Sequence, residues 1–198
     1  MLEDLRRVLE DERTERAQWV HSLASQARDG RMKLYIAMAG LAFRLKHPAL
    51  YQQGDYLPLE CGGSKKQHVC AFARVHEDQA VVTVVPRLLA TLTHDTKNPP
   101  LASMWEDSWV AVPPWPTLGA YRNVFTEELL SAESVNGRRV LPLNQVFQHC
   151  PVGLLERLSE APVRSEPSSL ATSVKLVKPL GMHPVGAAGW HDTVCIPR

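Results

Sequence analysis

The sequence predicts an α+β fold in which N-terminal helices pack on a small antiparallel β-sandwich. Three observations predict it. Apolar residues recur at helical spacing up to about residue 50, a two-residue period takes over from Tyr56, and most of the 15 prolines fall after residue 85. Helices first and strands afterwards argue for α+β and against α/β alternation. Prolines at that spacing suit short strands and irregular loops.

Leu2, Leu5, Val8 and Leu9 recur at helical spacing among charged residues, and Trp19, Val20, Leu23 and Ala27 resume the stripe. Asp29-Gly30 marks a break, because glycine serves well beside a helix end. The spacing predicts a second helix from Met32 to Lys46, with Leu34, Tyr35, Met38, Leu41, Ala42 and Leu45 as its apolar face. His47-Pro48 ends it, since the residue before proline disfavours the helical region. Burying each side chain of that face contributes roughly 1.5–3 kcal/mol. The face is therefore expected to fold back on the sheet or to pair with a second copy.

Tyr56–Glu60 is a short candidate strand. Gln67–Arg74 and Gln79–Pro86 are stronger ones, joined by a turn at Val75-His76-Glu77-Asp78. Residues 87–104 read as a loop and Ser108–Val112 as a strand. Pro113-Pro114-Trp115-Pro116 reads as an extended loop. Arg122–Thr126 and Arg138–Leu141 are expected to pair, with Asn136-Gly137 as a tight-turn signal. Leu143–His149 reads as a short helix and Val152–Arg157 as a last strand. The segments divide as 1–54 helical, 55–160 β and 161–198 a C-terminal extension that opens with the linker-like APVRSEPSSLATS and ends without a clear period.

Lys+Arg is 22 and Asp+Glu is 21, so the net charge is +1. No broad basic field is available for nucleic acid or anionic lipid, and neither is expected as a partner. No apolar run approaches the roughly 18 residues of a membrane span. The charged opening MLEDLRRVLEDERTER is unlike a secretory signal, so a cytoplasmic location is the expectation. Cys61, Cys70, Cys150 and Cys195 contain no CxxC pair and read as reduced thiols.

DGRMKLYIAMAGLAFRLKHPALYQQGDYLPLE (29–60) is followed in order by HVCAFAR (68–74), VVTVVPRL (81–88) and WEDSWVAVP (105–113). YRNVFTEE (121–128) and LPLNQVFQHCPVGLLER (141–157) complete the set. Over roughly residues 25–158 this series resembles maltooligosyl trehalose synthase, of the α-amylase superfamily. The resemblance implies that residues near 31–50 correspond to the last helix of the catalytic barrel and its exit. It implies that residues 55–158 correspond to the C-terminal β-domain packed against that barrel. The family rearranges the reducing-end link of a maltooligosaccharide to trehalose, using two carboxyl groups at barrel strand ends. A (β/α)₈ barrel needs at least about 200 residues, and none of its strand-end motifs is present. No catalytic residue and no cofactor follow from the resemblance. The implied partner is a catalytic-barrel polypeptide, or a second copy through the helix 32–46 face.

Glu60, Asp78, Glu106, Asp107, Glu127 and Glu128 fall at strand ends and turns, where solvated turn residues are the ordinary case. His68 with Cys70, and His149 with Cys150, lack an orienting third group for nucleophilic chemistry. Cys61, His68 and Cys70 fall short of a metal site without a fourth ligand and closer spacing. His183 and His191 are equally isolated. Trp105, Trp115 and Tyr121, with Trp109, crowd into 17 residues. Their rings either fill the sandwich core or offer stacking faces to maltooligosaccharide. Trp109 is expected in the core and Trp115 at the surface.

Overall fold

The computed structural model describes residues 15–26, 29–93, 99–115 and 119–158, all within one compact unit. The stripe Leu2 to Leu9, Ala27, the extension 161–198, His183, His191 and Cys195 lie outside the described residues.

Helix α1 (Arg16–Ser25) and helix α2 (Arg31–Lys46) form a hairpin. Gly30 sits between them at φ 80°, a left-handed value that costs glycine little. The Asp29 carboxylate accepts the Arg31 backbone N–H at 2.9 Å, so it satisfies one of the helix's open donors. Pro48 starts the short helix α3 (Pro48–Gln52), where its missing N–H has no cost.

Ten strands follow among the described residues. β1 (Asp55–Pro58), β3 (Val69–His76), β4 (Gln79–Pro86), β6 (Ala120–Asn123), β7 (Leu129–Ser131) and β10 (Gly153–Leu158) form one antiparallel sheet. Its order is β1-β3-β4-β10-β6-β7. β2 (Cys61–Gly62), β5 (Trp109–Ala111), β8 (Glu133–Val135) and β9 (Arg138–Pro142) form a second, in the order β2-β5-β9-β8. The chain changes sheets at two places. Leu59 N donates to Ala71 O in the first sheet, while Glu60 O accepts from Ala111 N in the second. Ala132 separates β7 from β8 in the same way.

Alternation along the central strands divides two apolar clusters. Ala71, Ala73, Val82, Val84, Tyr121 and Leu155 face Val110, Val112 and Leu141 of the second sheet. Val81 and Leu154, one residue out of phase, join Val20, Leu23, Tyr35, Ala39, Phe43 and Leu50 of the helices. Segments 1–54 and 55–160 thus share one core where they are described. Tyr35 anchors the helical layer. Its hydroxyl donates to Phe125 O at 2.6 Å, and its ring meets Trp19 edge-on at 5.1 Å.

Five expectations are corrected. The stretch 87–104, read as a loop, holds a helical turn at Leu89–Leu92 and a 3₁₀ turn at Ala102–Trp105, both too short to carry a period. The buried face of α2 is Met32, Tyr35, Ala39 and Phe43, whereas Leu41 is 61% exposed and Leu45 81%. Apolar residues surround most of this helix, so periodicity alone does not select the buried side. Residues 122–126 and 138–141 do not pair. Arg122 opposes Leu129 and Glu156, while Arg138–Pro142 opposes Glu133–Val135 and Trp109–Ala111. Asn136 and Gly137, both at positive φ, do make a two-residue turn, but for the neighbouring β8–β9 hairpin. The β3–β4 turn contracts to Glu77-Asp78, because pairing continues to His76 and Gln79. The helix expected over 143–149 is a single turn, Leu143–Val146.

Candidate functional site

The three aromatic candidates part company. Trp105 is fully buried, its ring 4.7 Å from Phe147 and its Nε1 donating to Pro100 O at 2.9 Å. Tyr121 is 1% exposed and belongs to the same cluster between the sheets. A sugar cannot stack on a ring with no open face, so neither offers a platform. Trp115 is half-buried, and the Arg157 guanidinium lies over its ring at 4.4 Å. Arg139 donates to Trp115 O at 2.6 Å. Among the described residues, no hydrogen-bond partner of good geometry engages the buried Trp115 Nε1. Burial pushes the Tyr121 hydroxyl up to about 12, with the Arg157 charge opposing it. Trp109 is half-buried, and its ring lies against Gly62.

Five of the six turn carboxylates, all but Asp78, are tied into the scaffold. Glu60 pairs with Arg138, and Glu106 with Lys65 at 3.0 Å. The Ser64 hydroxyl holds the Glu106 carboxyl below its ordinary range, and the Ser64 N–H does the same for Asp107. That direction is opposite to what a general acid near neutral pH requires. Glu127 pairs with Arg16 and Arg122, and Glu128 with His149 at 2.8 Å. Arg122 also reaches Glu156, and the His47 Nε2 lies 3.6 Å from the same carboxylate. This line of charges ties α1 and the α2–α3 junction to β6 and β10, through residues that sequence spacing does not bring together.

Glu128 gives His149 the orienting third group that its spacing does not signal, yet the neighbouring thiol is not activated. Cys150 is fully buried, and burial pushes its thiol up to about 12, away from thiolate. His68 belongs to a one-turn 3₁₀ segment before β3, so it does not share a strand with Cys70. Among the described residues, no three His, Cys, Asp or Glu side chains lie together as metal ligands would. Among them, no helix is long and apolar enough to cross a membrane.

The open chemistry lies instead at the C-terminal end of α2 and the neighbouring edge of the first sheet. Leu41, Arg44 and Leu45 share one exposed helix face, as i, i+3 and i+4 positions do. The Arg44 guanidinium lies over the Tyr51 ring at 5.4 Å. The Arg74 guanidinium lies over the Tyr56 ring at 5.7 Å and donates to Gly54 O at 3.0 Å. Tyr56 stacks on Phe72 at 4.8 Å and 29°. Burial raises the Tyr51 hydroxyl, and the charges of Arg44 and Arg74 both act against that rise. Tyr56 is 48% exposed on the edge strand β1. Arg44 and Tyr51 face each other across the His47-Pro48 break, and Arg74 and Tyr56 across the β1–β3 pair. Sequence spacing does not signal the second contact; the pairing register creates it.

No protein-family profile matches the chain, and no curated protein matches it. Among solved structures, a noncanonic maltogenic alpha-amylase, AmyB, from Thermotoga neapolitana superposes on 55% of this chain. The TM-score is 0.36 and the identity 11%, and the match spans 21% of that enzyme's chain.

Proposed function

We propose that this chain is a non-catalytic module that completes or stabilises a catalytic-barrel polypeptide, in the manner of the C-terminal part of maltooligosyl trehalose synthase. The observation that carries the proposal is the exposed face of α2. Leu41 and Leu45 stand 61% and 81% in solvent on a helix whose opposite face is buried. A helix apolar on both sides is built to be covered on both sides. The run of motifs from residue 29 to 157 supports the choice of partner, because its resemblance to that enzyme implies a position for this helix at the barrel's exit. The tied carboxylates of the turns support a structural role.

Co-expression with the barrel polypeptide of a maltooligosyl trehalose synthase lacking its own C-terminal part tests this. Stable association that is lost in Leu41→Asp/Leu45→Asp supports it. Absence of association, or association indifferent to that double variant, refutes it. A concentration-dependent dimer abolished by the same variant would assign the face to a second copy instead.

A second reading, a stand-alone glucan-binding module, is favoured by the exposed Tyr56 ring stacked on Phe72 and by the half-buried Trp115. Calorimetric titration with maltopentaose, repeated on Tyr56→Ala and Trp115→Ala, decides it. No heat at millimolar sugar removes this reading.

A further inference from the structure

The buried residues of α2, Met32, Tyr35, Ala39 and Phe43, lie along one side of the helix. At 3.6 residues per turn the opposite side carries Lys33, Ala37, Leu41, Arg44 and Leu45, all of them exposed. From Lys33 to Leu45 this face runs about 18 Å, at about 1.5 Å per residue. Gly40 borders it, next to Ala37 as i and i+3 positions are. The two small residues leave a shallow notch, and Leu41 and Leu45 stand beyond it. A glycine inside a helix is destabilising relative to alanine. A Cβ on Gly40 would meet nothing within 4 Å, so no described neighbour in this chain requires the glycine. A second helix crossing close to this one does, because the size of the side chains at the crossing sets how near two axes approach.

Charge says what kind of helix fits. The charged residues of α2 are Arg31, Lys33, Arg44 and Lys46, with no carboxylate among them. Asp29 neutralises Arg31. Arg44 and Lys46 lie in the last turn, where cations suit the negative end of the helix itself. Lys33 lies in the first turn, where a cation opposes the helix dipole. It makes no salt bridge among the described residues. Lys33 and Arg44 thus stand towards the two ends of an apolar face, as uncompensated positive charges. A second copy is a poor occupant. Paired antiparallel about the Ala37–Gly40 notch, α2 of one chain would set its Lys33 against Arg44 of the other. Paired parallel, it would set each cation against its own equivalent. Like charges facing each other suppress such a contact. A helix whose apolar stripe is flanked by carboxylates meets the same face with every charge opposed.

We propose that the outward face of α2 takes an acidic amphipathic helix of a partner polypeptide. That helix crosses α2 at Ala37 and Gly40, lays its apolar stripe on Leu41 and Leu45, and sets its carboxylates against Lys33 and Arg44. The proposal rests on the reading of this face as one that a partner covers, and it names the element of the partner that does so.

The test has two arms. In the first, the full chain is titrated with two fluorescent peptides of about 20 residues, long enough to be helical alone. Each carries leucines at i, i+4 and i+7, flanked by glutamates in one peptide and by lysines in the other. The glutamate peptide is expected to bind at least tenfold more tightly, and raising the salt from 20 to 200 mM should narrow the difference. Lys33→Glu/Arg44→Glu should reverse the preference while the far-ultraviolet circular dichroism stays unchanged. Gly40→Leu should weaken the glutamate peptide at least tenfold with a melt no lower than the parent's, since leucine is the better helix former and its Cβ has open space. Equal affinity for the two peptides, a preference untouched by the double variant, or no binding of either peptide at 1 mM overturns the proposal. Gly40→Leu binding as the parent does overturns the crossing point. In the second arm, Lys33→Glu/Arg44→Glu is co-expressed with the barrel polypeptide. Association kept in that variant but lost in Leu41→Asp/Leu45→Asp overturns the acidic helix and leaves the partner reading in place. A parent chain that binds the glutamate peptide but not the barrel removes the barrel as partner and supports the acidic helix.

Discussion

Tyr35→Phe isolates a buried polar bond between the helical layer and the turn after β6. The side chain is fully buried, and its hydroxyl donates to Phe125 O at 2.6 Å. The substitution keeps the ring, and with it the edge-on contact to Trp19 at 5.1 Å, so only the hydrogen bond is removed. Phe125 is itself buried, at 4% exposure. Leaving a buried acceptor without its donor costs about 1–3 kcal/mol, and about 2 kcal/mol is expected here. Urea slopes of about 1–3 kcal/mol/M for small domains place the midpoint roughly 1 M lower, with the slope unchanged. The assay is equilibrium urea unfolding followed by tryptophan fluorescence. Leu41→Ser serves as the control, since its side chain is 61% exposed and surface changes stay within about 0.5 kcal/mol. A Tyr35→Phe effect below about 0.3 kcal/mol would refute the reasoning. So would a Leu41→Ser effect exceeding it, because the helix would then present the other face to the sheet.

Three further outcomes follow from the packing. Phe43→Ala should cost about 3–5 kcal/mol, as deletion of a buried aromatic does, whereas Leu45→Ala, two positions on, should leave the unfolding midpoint in place; thermal melts compare the pair. Gly62→Ala should destabilise by about 1–3 kcal/mol, because a Cβ would fall 2.1 Å from the Trp109 ring, and a melt identical to the parent would show that β2 does not pack as described. Alkaline titration should leave stability constant below about pH 9 and erode it up to about pH 12. Burial raises the Cys150 thiol from 9.0 and the Tyr121 hydroxyl from 10.0, each to about 12. A raised folded-state value means that the stabilisation is complete below the unfolded value and lost as pH climbs through the folded one. Each group then contributes a slope of about 1.4 kcal/mol per pH unit. Cys150→Ala should move the onset from about pH 9 to about pH 10, and an unchanged onset would contradict the thiol's role.

The strands were legible where local chemistry is strong. Gln79–Pro86 reads as a strand from its β-branched run, and the structure has that span. Asn136-Gly137 reads as a tight turn, and both residues take the positive φ that such a turn requires. Which strands they join was not legible. β7 and β8 are three residues each and carry no period of their own, so the turn signal points to a more conspicuous segment, 122–126, whose strand lies in the other sheet. Aromatic crowding showed where large side chains gather, but not which faces stay open. Trp105 found a carbonyl for its N–H and could be buried, while Tyr56 sits on a strand that is at the sheet's edge among the described residues.

The sequence by itself determined the class of fold, the placing of the main helices before the strands, and the breaks at Gly30 and Pro48. These depend on neighbours within a few residues, where period, proline and glycine act directly. Only the tertiary structure decided which side of α2 is buried and which strands share a sheet. It alone also set Arg44 and Arg74 beside tyrosines instead of carboxylates. Those outcomes depend on contacts between residues far apart in the chain, such as the Tyr35 hydroxyl and the Phe125 carbonyl. α2 is apolar on more than one side, so a distant hydrogen bond and the register of β1 on β3 determine which surface is left to meet a partner.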